Sequence, residues 1–274
     1  MEPDRHATRT AATVRWEDKR GQEAQDRLAV EEPLEIRLNG KPVSVTMRTP
    51  GHDFDLAAGF LFTEGIVRES RQIGSIARCS SAGADDDGNV VDVLTAPDGP
   101  PPDEGWQRSF YLTSSCGICG RSSIEAVRQS VPALNDPSTF DPEVLFALPE
   151  LLRSSQRVFA QTGALHAAAL FSPDGSLQSV REDIGRHNAV DKVIGSSLLA
   201  GTIPLGQRLL LVSGRLSFEI TQKALMAGIP ALGGISGASS LAVDLARDSG
   251  MLLVGFLRGR SMQIYSGSER LRGS

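Results

Sequence analysis

At 274 residues, with 40% hydrophobic and 22% charged residues, the chain can fill one large domain or two smaller ones and has an ordinary globular composition. A formal net charge of −5 argues against a broad electrostatic grip on nucleic acid, so an anionic ligand must be held locally by a few arginines and backbone N–H groups. No apolar run reaches the ~18 residues of a membrane helix, no apolar segment marks an N-terminal signal, and three cysteines are too few for a disulfide framework. The expectation is a cytoplasmic protein bound to neither membrane nor nucleic acid.

Residues 1–27 are polar and without periodicity, which predicts a disordered tail. A β-rich portion is expected over residues 28–110. Leu34, Ile36 and Leu38 alternate, Asn39-Gly40 turns the chain, and Val43, Val45 and Met47 alternate again, which is the pattern of a hairpin. Phe54, Ala57, Ala58 and Leu61 then recur at helical spacing, with Gly65 as the stop. Asp85, Asp87 and Gly88 fit part of a calcium loop, but Leu94 stands where its glutamate is due. A solvated turn leading into a strand with Val91 and Val93 is the better reading.

Residues 111–274 read as an α/β domain. Asp141-Pro142 and Pro149 each look like a helix start, with Leu151, Leu152, Ser155, Val158 and Phe159 on one face of the second helix and Gly163 closing it. A hairpin turns at Ser172-Pro-Asp-Gly, and a helix follows that buries Val190, Val193, Ile194 and Leu198. The last eighty or so residues alternate strand and helix through short glycine-rich joints, which implies parallel strands and a three-layer sandwich. Ligands in such sheets bind beyond the carboxyl ends of the strands. Those ends carry Ser213-Gly214-Arg215, Gly233-Gly234-Ile235-Ser236-Gly237 and Arg258-Gly259-Arg260.

Two of the three cysteines lie in "SSCGICGRSS" as Cys116 and Cys119. Gly117 and Gly120 let this loop bend. Ser122 and Glu125 form a capping box that opens a helix, so a thiol just ahead of it and beside Arg121 is expected to be thiolate-prone. Three other roles compete. Structural zinc needs four ligands, and Cys79, His52, His166 and His187 show no matching spacing. A thioredoxin-type dithiol has this spacing but not this chain's layout. Simple packing of both thiols is a third. The balance favours a nucleophilic carrier of undetermined cargo and no permanent metal.

"TGALHAAAL" ahead of α/β units is close to the zinc-dependent nucleoside deaminases. His166-Ala167-Ala168 lacks their glutamate, however, and the CxxC precedes the histidine instead of following it. That active site is absent, although the fold can be shared. His187 lies four residues from both Asp183 and Asp191, as a carboxylate–imidazole line or as a residue paired in the core. Arg215 and Glu219 are placed to touch a ligand or each other.

"VEEPLEIRLNGKPVSVTMRTPG", "AAGFLFTEGIV", "SSCGICG", "TGALHAAAL", "REDIGRHNAVDK", "SGRLSFE" and "GFLRGRSMQIYSG" together resemble the formate dehydrogenase accessory sulfurtransferase family, FdhD, from about residue 28 to 270. The resemblance implies a cytoplasmic homodimer with a cytidine-deaminase-like α/β domain over residues 111–274. It implies a sulfurtransferase that takes sulfur from a cysteine desulfurase and passes it to the molybdenum of the bis-molybdopterin guanine dinucleotide cofactor, for insertion into formate dehydrogenase. Cys116 would carry the sulfur as a persulfide, and Cys119 is a candidate resolving thiol. The cofactor-binding stretch would be Phe256, Leu257, Arg258, Gly259, Arg260 and Ser261, with Gly233, Gly234, Ser236, Gly237, Arg215 and His187 as further candidates. The family often has its second arginine where this chain has Ser261, which leaves the role of Arg260 open. A chaperone that binds the cofactor without passing sulfur is the alternative.

Overall fold

The computed structural model describes residues 7–79, 88–98 and 134–273. The Cys116–Cys119 pair, the capping box at Ser122, the acidic turn at Asp85 and Asp87, and the expected boundary near residue 110 lie outside the described residues. Among the described residues no helix is long and apolar enough to cross a membrane.

The chain opens with a hairpin of β1 (Thr8–Glu17) and β2 (Arg20–Ala29), paired from Thr8–Ala29 to Glu17–Arg20. This corrects the expected tail over residues 7–27; residues 1–6 lie outside the described residues. The signal was a two-residue alternation of Thr8, Thr10, Ala12, Val14 and Trp16, closed by Asp18 and Lys19, both of which adopt positive φ as a two-residue turn requires. Only the base of the hairpin joins a core, through Ala7 and Ala29 against Val158 and Leu165. Arg27 also bonds the Gln161 side chain. Val14 and Trp16 stay on the surface, which is why hydrophobic burial did not betray the strands.

A four-stranded sheet follows in the order β4 (Lys41–Arg48), β3 (Glu32–Leu38), β6 (Val90–Thr95), β5 (Ile73–Arg78). Leu34, Ile36 and Leu38 face its core as expected, and Asn39-Gly40 forms the turn with both φ values positive. The second strand differs from expectation. Val43 is buried, but Val45 and Met47 are exposed. A register shift between Ile36 and Arg37 reverses the face that β4 presents.

The larger sheet has the order β12 (Ser261–Ser266), β11 (Leu252–Arg258), β10 (Ala231–Gly234), β9 (Leu209–Val212), β7 (His166–Phe171), β8 (Leu177–Asp183). Strands β9, β10 and β11 run parallel, while β7, β8 and β12 join antiparallel. Mixed α/β architecture is thus as expected; β12, which turns back immediately through Gly259, had no separate sequence signal. One face packs Leu145, Leu148 and Leu152 of α2 (Pro142–Ser155) against Phe171, Leu209 and Leu211. The other packs α4 (Arg186–Leu199), α5 (Phe218–Met226) and α6 (Ser240–Ser249), with Val190, Val193, Ile194, Ile220, Ala224 and Ala246 in one continuous core.

Helix α2 corrects a further expectation. It is one helix capped by Asp141, whose side chain accepts from the Glu143 amide, and Pro149 lies inside it. Ser155 ends that helix and Leu151 is exposed. Val158 and Phe159 belong instead to the short α3 (Phe159–Thr162) and its cap, which stops at left-handed Gly163.

The junction between the two sheets is a helix crossing. Helix α1 (Asp53–Thr63) lies on α4 with backbone against backbone. A Cβ on Gly59 would stand 1.9 Å from the Asp191 carbonyl oxygen, and one on Gly195 would stand 1.8 Å from that of Asp55. No side chain fits at either position. Leu56, Ala57, Ala58 and Leu61 then share the core of Leu34, Ile36, Val91 and Val93 on one side and Val190, Val193 and Ile194 on the other.

Buried ion pairs fasten this crossing. Arg48, 2% exposed, grips Asp53 through two bonds of 3.0 and 3.1 Å and also reaches Glu32 and Asn89. Lys192 pairs with Asp183 at 2.7 Å and donates to the Thr49 carbonyl. Lys223 of α5 contacts Asp191 of α4 at 2.9 Å, and both touch the Thr63 hydroxyl of α1. Burial by itself would strip the proton from Lys223, but Asp191 and then Glu64 more than offset it and raise its pKa.

Two outcomes are expected. Gly59→Ala must push the helices apart, so the denaturant midpoint should fall by the equivalent of about 1–3 kcal/mol or more. Asp191→Ala strands a buried lysine and should cost about 3–5 kcal/mol in the same measurement.

Candidate functional site

The carboxyl ends of β9, β10 and β11 are followed by three loops that hydrogen-bond to one another. The Leu216 amide donates to the Gly237 carbonyl at 3.0 Å, and the Ser239 amide returns to Leu216 at 2.9 Å. The Phe256 amide donates to the Ser236 carbonyl at 3.0 Å. Loops 213–217, 235–239 and the outer part of β11 are therefore one continuous rim.

Glycine has a specific task in that rim. A Cβ on Gly237 would meet the tip of the Phe256 ring at 2.8 Å, so the ring end lies against bare backbone. Phe256 itself adopts φ 49, a left-handed conformation uncommon for a bulky residue, at a break in the β11–β12 register. It is 44% exposed. An exposed aromatic held in an unusual conformation at a strand end is a platform suited to stacking a planar ring.

Other predicted site residues are distributed less favourably. Leu257 is fully buried, so its side chain belongs to the core. Gly233 and Gly234 lie within β10, where Gly234 makes room for Leu216 and Gly233 for Leu211. Both glycines thus make room for packed side chains. Arg258 and Ser261 pair across the turn at Gly259, and Arg258 is exposed with no ion pair among the described residues. Arg260 is exposed too, but it makes bonds of 2.6 and 2.7 Å to Glu143 of α2 and sits over the Phe146 ring. It would have to leave that carboxylate to contact a ligand.

A second group gathers one step further along the edge, at the beginning of α4. Strand β8 delivers Asp183 opposite His166 of β7, and the chain then enters α4 with Arg186 and His187 in its first turn. Of the two readings of His187, the line with Asp183 and Asp191 does not form, because Lys192 and Lys223 take those carboxylates. Its Nε2 faces Glu219 of α5 instead, at 3.8 Å. That separation is longer than an ordinary hydrogen bond, so the imidazole faces the carboxylate without closing on it. The His187 imidazole, with the Glu219 amide and Ser217 adding to it against burial, holds the Glu219 carboxyl down from 4.5 to about 2. Arg215, exposed on the rim, does not pair with Glu219.

Arg186 and His166 are the residues that sequence reasoning missed or set aside. His166 is pushed below the ordinary imidazole value, first by burial and then by Arg186, with His187 and Arg215 acting in the same direction and Asp183 opposing. The signal for Arg186 was its place at the first helical position after Gly185, which supplies no side-chain cap. No group of three metal-ligating side chains occurs among the described residues. Cys79 is a free, partly buried thiol.

Comparison with known proteins bears on what such an edge is for. Residues 29–272 match the FdhD/NarQ family. A protein of Streptomyces avermitilis named sulfur carrier protein FdhD is 55% identical over 251 residues, 90% of this chain and 89% of its own length. One of the same name from Mycobacterium tuberculosis is 55% identical over 252 residues, covering 89% and 91%. A solved structure from Desulfotalea psychrophila, named as a formate dehydrogenase accessory protein, superposes with a TM-score of 0.76 over 97% of this chain and 99% of its own, at 25% identity.

The depressed Glu219 carboxyl gives a pH prediction. A group whose folded pKa lies below its unfolded one stabilises above about 4.5 and loses that contribution as pH falls toward about 2. Carboxyl-carbon NMR should find the Glu219 midpoint near 2 and should see it rise toward 4.5 in His187→Ala. An unmoved midpoint would assign the effect to Ser217 and the backbone amide.

Proposed function

The chain belongs to the FdhD/NarQ family, and on that premise we propose that it is a sulfurtransferase: it carries sulfur on Cys116 and delivers it to the molybdenum cofactor of formate dehydrogenase. The observation that carries this reading is the 55% identity, over about nine-tenths of the chain, to proteins named as sulfur carriers. The CxxC sequence and the exposed strand-end rim support it on chemical grounds. In this reading the protein acts in the cytoplasm as a homodimer, with a cysteine desulfurase as donor and formate dehydrogenase as the recipient of the finished cofactor.

The chemistry needs no metal in the protein. The Cys116 thiolate attacks the terminal sulfur of a donor persulfide, the S–S bond to the donor breaks, and the donor leaves as a thiolate. Cys116 then holds the outer sulfur. Attack by the Cys119 thiolate on the inner sulfur of that persulfide forms a Cys116–Cys119 disulfide and releases hydrosulfide to the acceptor. A cellular dithiol must reduce the disulfide before the next cycle. The acceptor is the bis-molybdopterin guanine dinucleotide cofactor, a bulky anion with two guanine rings. Phe256 is suited to stack one ring, and Arg258 and Arg215 are free to meet phosphate oxygens.

Intact mass spectrometry after incubation with a cysteine desulfurase and L-cysteine tests the carrier step. A thiol-reducible gain of one sulfur atom, mapped to Cys116 and absent in Cys116→Ala, is expected. Formate dehydrogenase matured normally by the Cys116→Ala protein would point to a cofactor chaperone instead. In single-turnover transfer, Cys119→Ala should load sulfur but release it slowly; undiminished release would remove Cys119 from the mechanism.

A further inference from the structure

Among the described residues, the N-terminal hairpin leaves one long strand edge uncovered. Every residue of β1 from Thr8 to Glu17 pairs with β2 in unbroken register, closed by the two-residue turn at Asp18 and Lys19. Such a turn makes Glu17 and Arg20 a hydrogen-bonded pair, and the alternation then directs the main-chain groups of residues 9, 11, 13, 15 and 17 toward β2. The Val30 amide, donating to the Ala7 carbonyl at 2.9 Å, continues the same alternation. The N–H and C=O groups of Thr8, Thr10, Ala12, Val14 and Trp16 therefore point to the outer edge of β1.

Two observations mark that edge as one built to be covered. A two-stranded ribbon by itself is marginal in water, yet this one is ten residues long and only its base joins a core. Free edges are also ordinarily interrupted, because a flat one recruits another strand. The other edge strands among the described residues, β4, β5, β8 and β12, each carry a register shift, and β4 has Lys41 and Pro42 besides. Strand β1 has no shift, proline or lysine. Strand β2 is met near its base by α3, where Arg27 bonds Gln161.

The residues of β1 fit a second β1. Thr13 stands four residues from both Arg9 and Glu17, so antiparallel pairing about a twofold axis at Thr13 sets Arg9 against the partner's Glu17, twice in the assembly. Within its own hairpin Arg9 faces Leu28 and meets no opposite charge across the ladder. Ala12 then lies opposite the partner's Val14, and Thr10 opposite the partner's Trp16; these are the residues with free main-chain groups. The neighbouring registers are poorer. An axis at Ala12 opposes Arg9 to the partner's Arg15, and like charges directly opposite destabilise a ladder. An axis at Val14 leaves Arg9 beyond the paired stretch and sets Glu17 against the partner's Ala11.

We propose that β1 is the edge through which two copies of this chain associate, joining their hairpins into one four-stranded antiparallel sheet centred on Thr13. The exposed Val14 and Trp16 become part of an apolar stripe shared by both copies. The sulfur-carrier reading expects a homodimer but assigns it no surface, and the proposal rests on that reading only for the expectation of two copies.

Oxidative cross-linking of the full chain tests the register. Residues at the axis form a non-hydrogen-bonded pair with Cα atoms about 4.5 Å apart, within disulfide reach. Thr13→Cys should therefore give a covalent dimer on a non-reducing gel. The unsubstituted chain and Ala11→Cys should not, since residues 11 of the two copies lie about 13 Å apart in this register. By sedimentation, Ala12→Pro removes only an outward N–H and should yield a monomer with an unchanged circular-dichroism spectrum. Arg9→Glu should raise the dimer dissociation constant about tenfold, because each contact occurs twice, and Arg9→Glu combined with Glu17→Arg should restore it. A dimer that persists in Ala12→Pro, or that fails to cross-link through Thr13→Cys, overturns the edge while leaving a homodimer in place. An unsubstituted chain that sediments as a monomer overturns both. Sulfur loading of Cys116 is followed separately by mass, so failure of the carrier step registers in a different measurement.

Discussion

The contact between Gly59 and Gly195 is the constraint around which the molecule is organised. Two helices from different parts of the chain meet there with no side chain between them, which a Cβ at less than 2 Å from a carbonyl oxygen would forbid. Close approach brings the main-chain dipoles and carbonyls of α1 and α4 into each other's neighbourhood. It also fixes where everything attached to them lies. The four-stranded sheet rides on α1, and the six-stranded sheet lies under α4. The first turn of α4 carries Arg186 and His187, so their placement beside the strand-end rim depends on that crossing.

The buried charges around the crossing specify it further. Apolar packing alone would tolerate sliding of one helix along another, because many registers bury similar area. Arg48 with Asp53, Lys192 with Asp183, and Lys223 with Asp191 are satisfied in one register only. A buried ion pair contributes little net stability compared with apolar residues of the same shape. Its effect here is to make the alternatives poor. The same pairs hold three carboxylates and three cations in the junction, and Arg186, His187, Arg215 and Glu219 are among the charged or titratable groups outside them.

Much of this was legible in the sequence, for identifiable reasons. The parallel units β9 to β11 were readable because short apolar strands alternate with amphipathic helices through glycine joints. The β7–β8 hairpin was readable from Ser172-Pro-Asp-Gly. The N-terminal hairpin was not, since its strands bury almost nothing and its turn is Asp18-Lys19 instead of a glycine pair. Val45 and Met47 were misplaced because a bulge changes the face of a strand without leaving a mark in the alternation. Pro149 read as a helix start because local preference could not reveal the continuation of α2 through it. At the candidate site the strand-end loops were found by a topological rule, but the facing of His187 and Glu219 was not. They lie on different helices, α4 and α5, and only tertiary pairing of Asp183 and Asp191 shows that His187 is left without them.

The rim at the end of the parallel strands has one more consequence. Its three loops are tied by main-chain hydrogen bonds from Leu216 to Gly237, Gly237's neighbour Ser239 back to Leu216, and Phe256 to Ser236. Loops linked in this way cannot adjust separately to a visitor, so the entropy of ordering them is settled during folding and does not weaken association later. A guest must match the edge as it stands. Discrimination between cargoes then falls to shape and spacing along a stiff border, and a change at any one loop is felt by the other two.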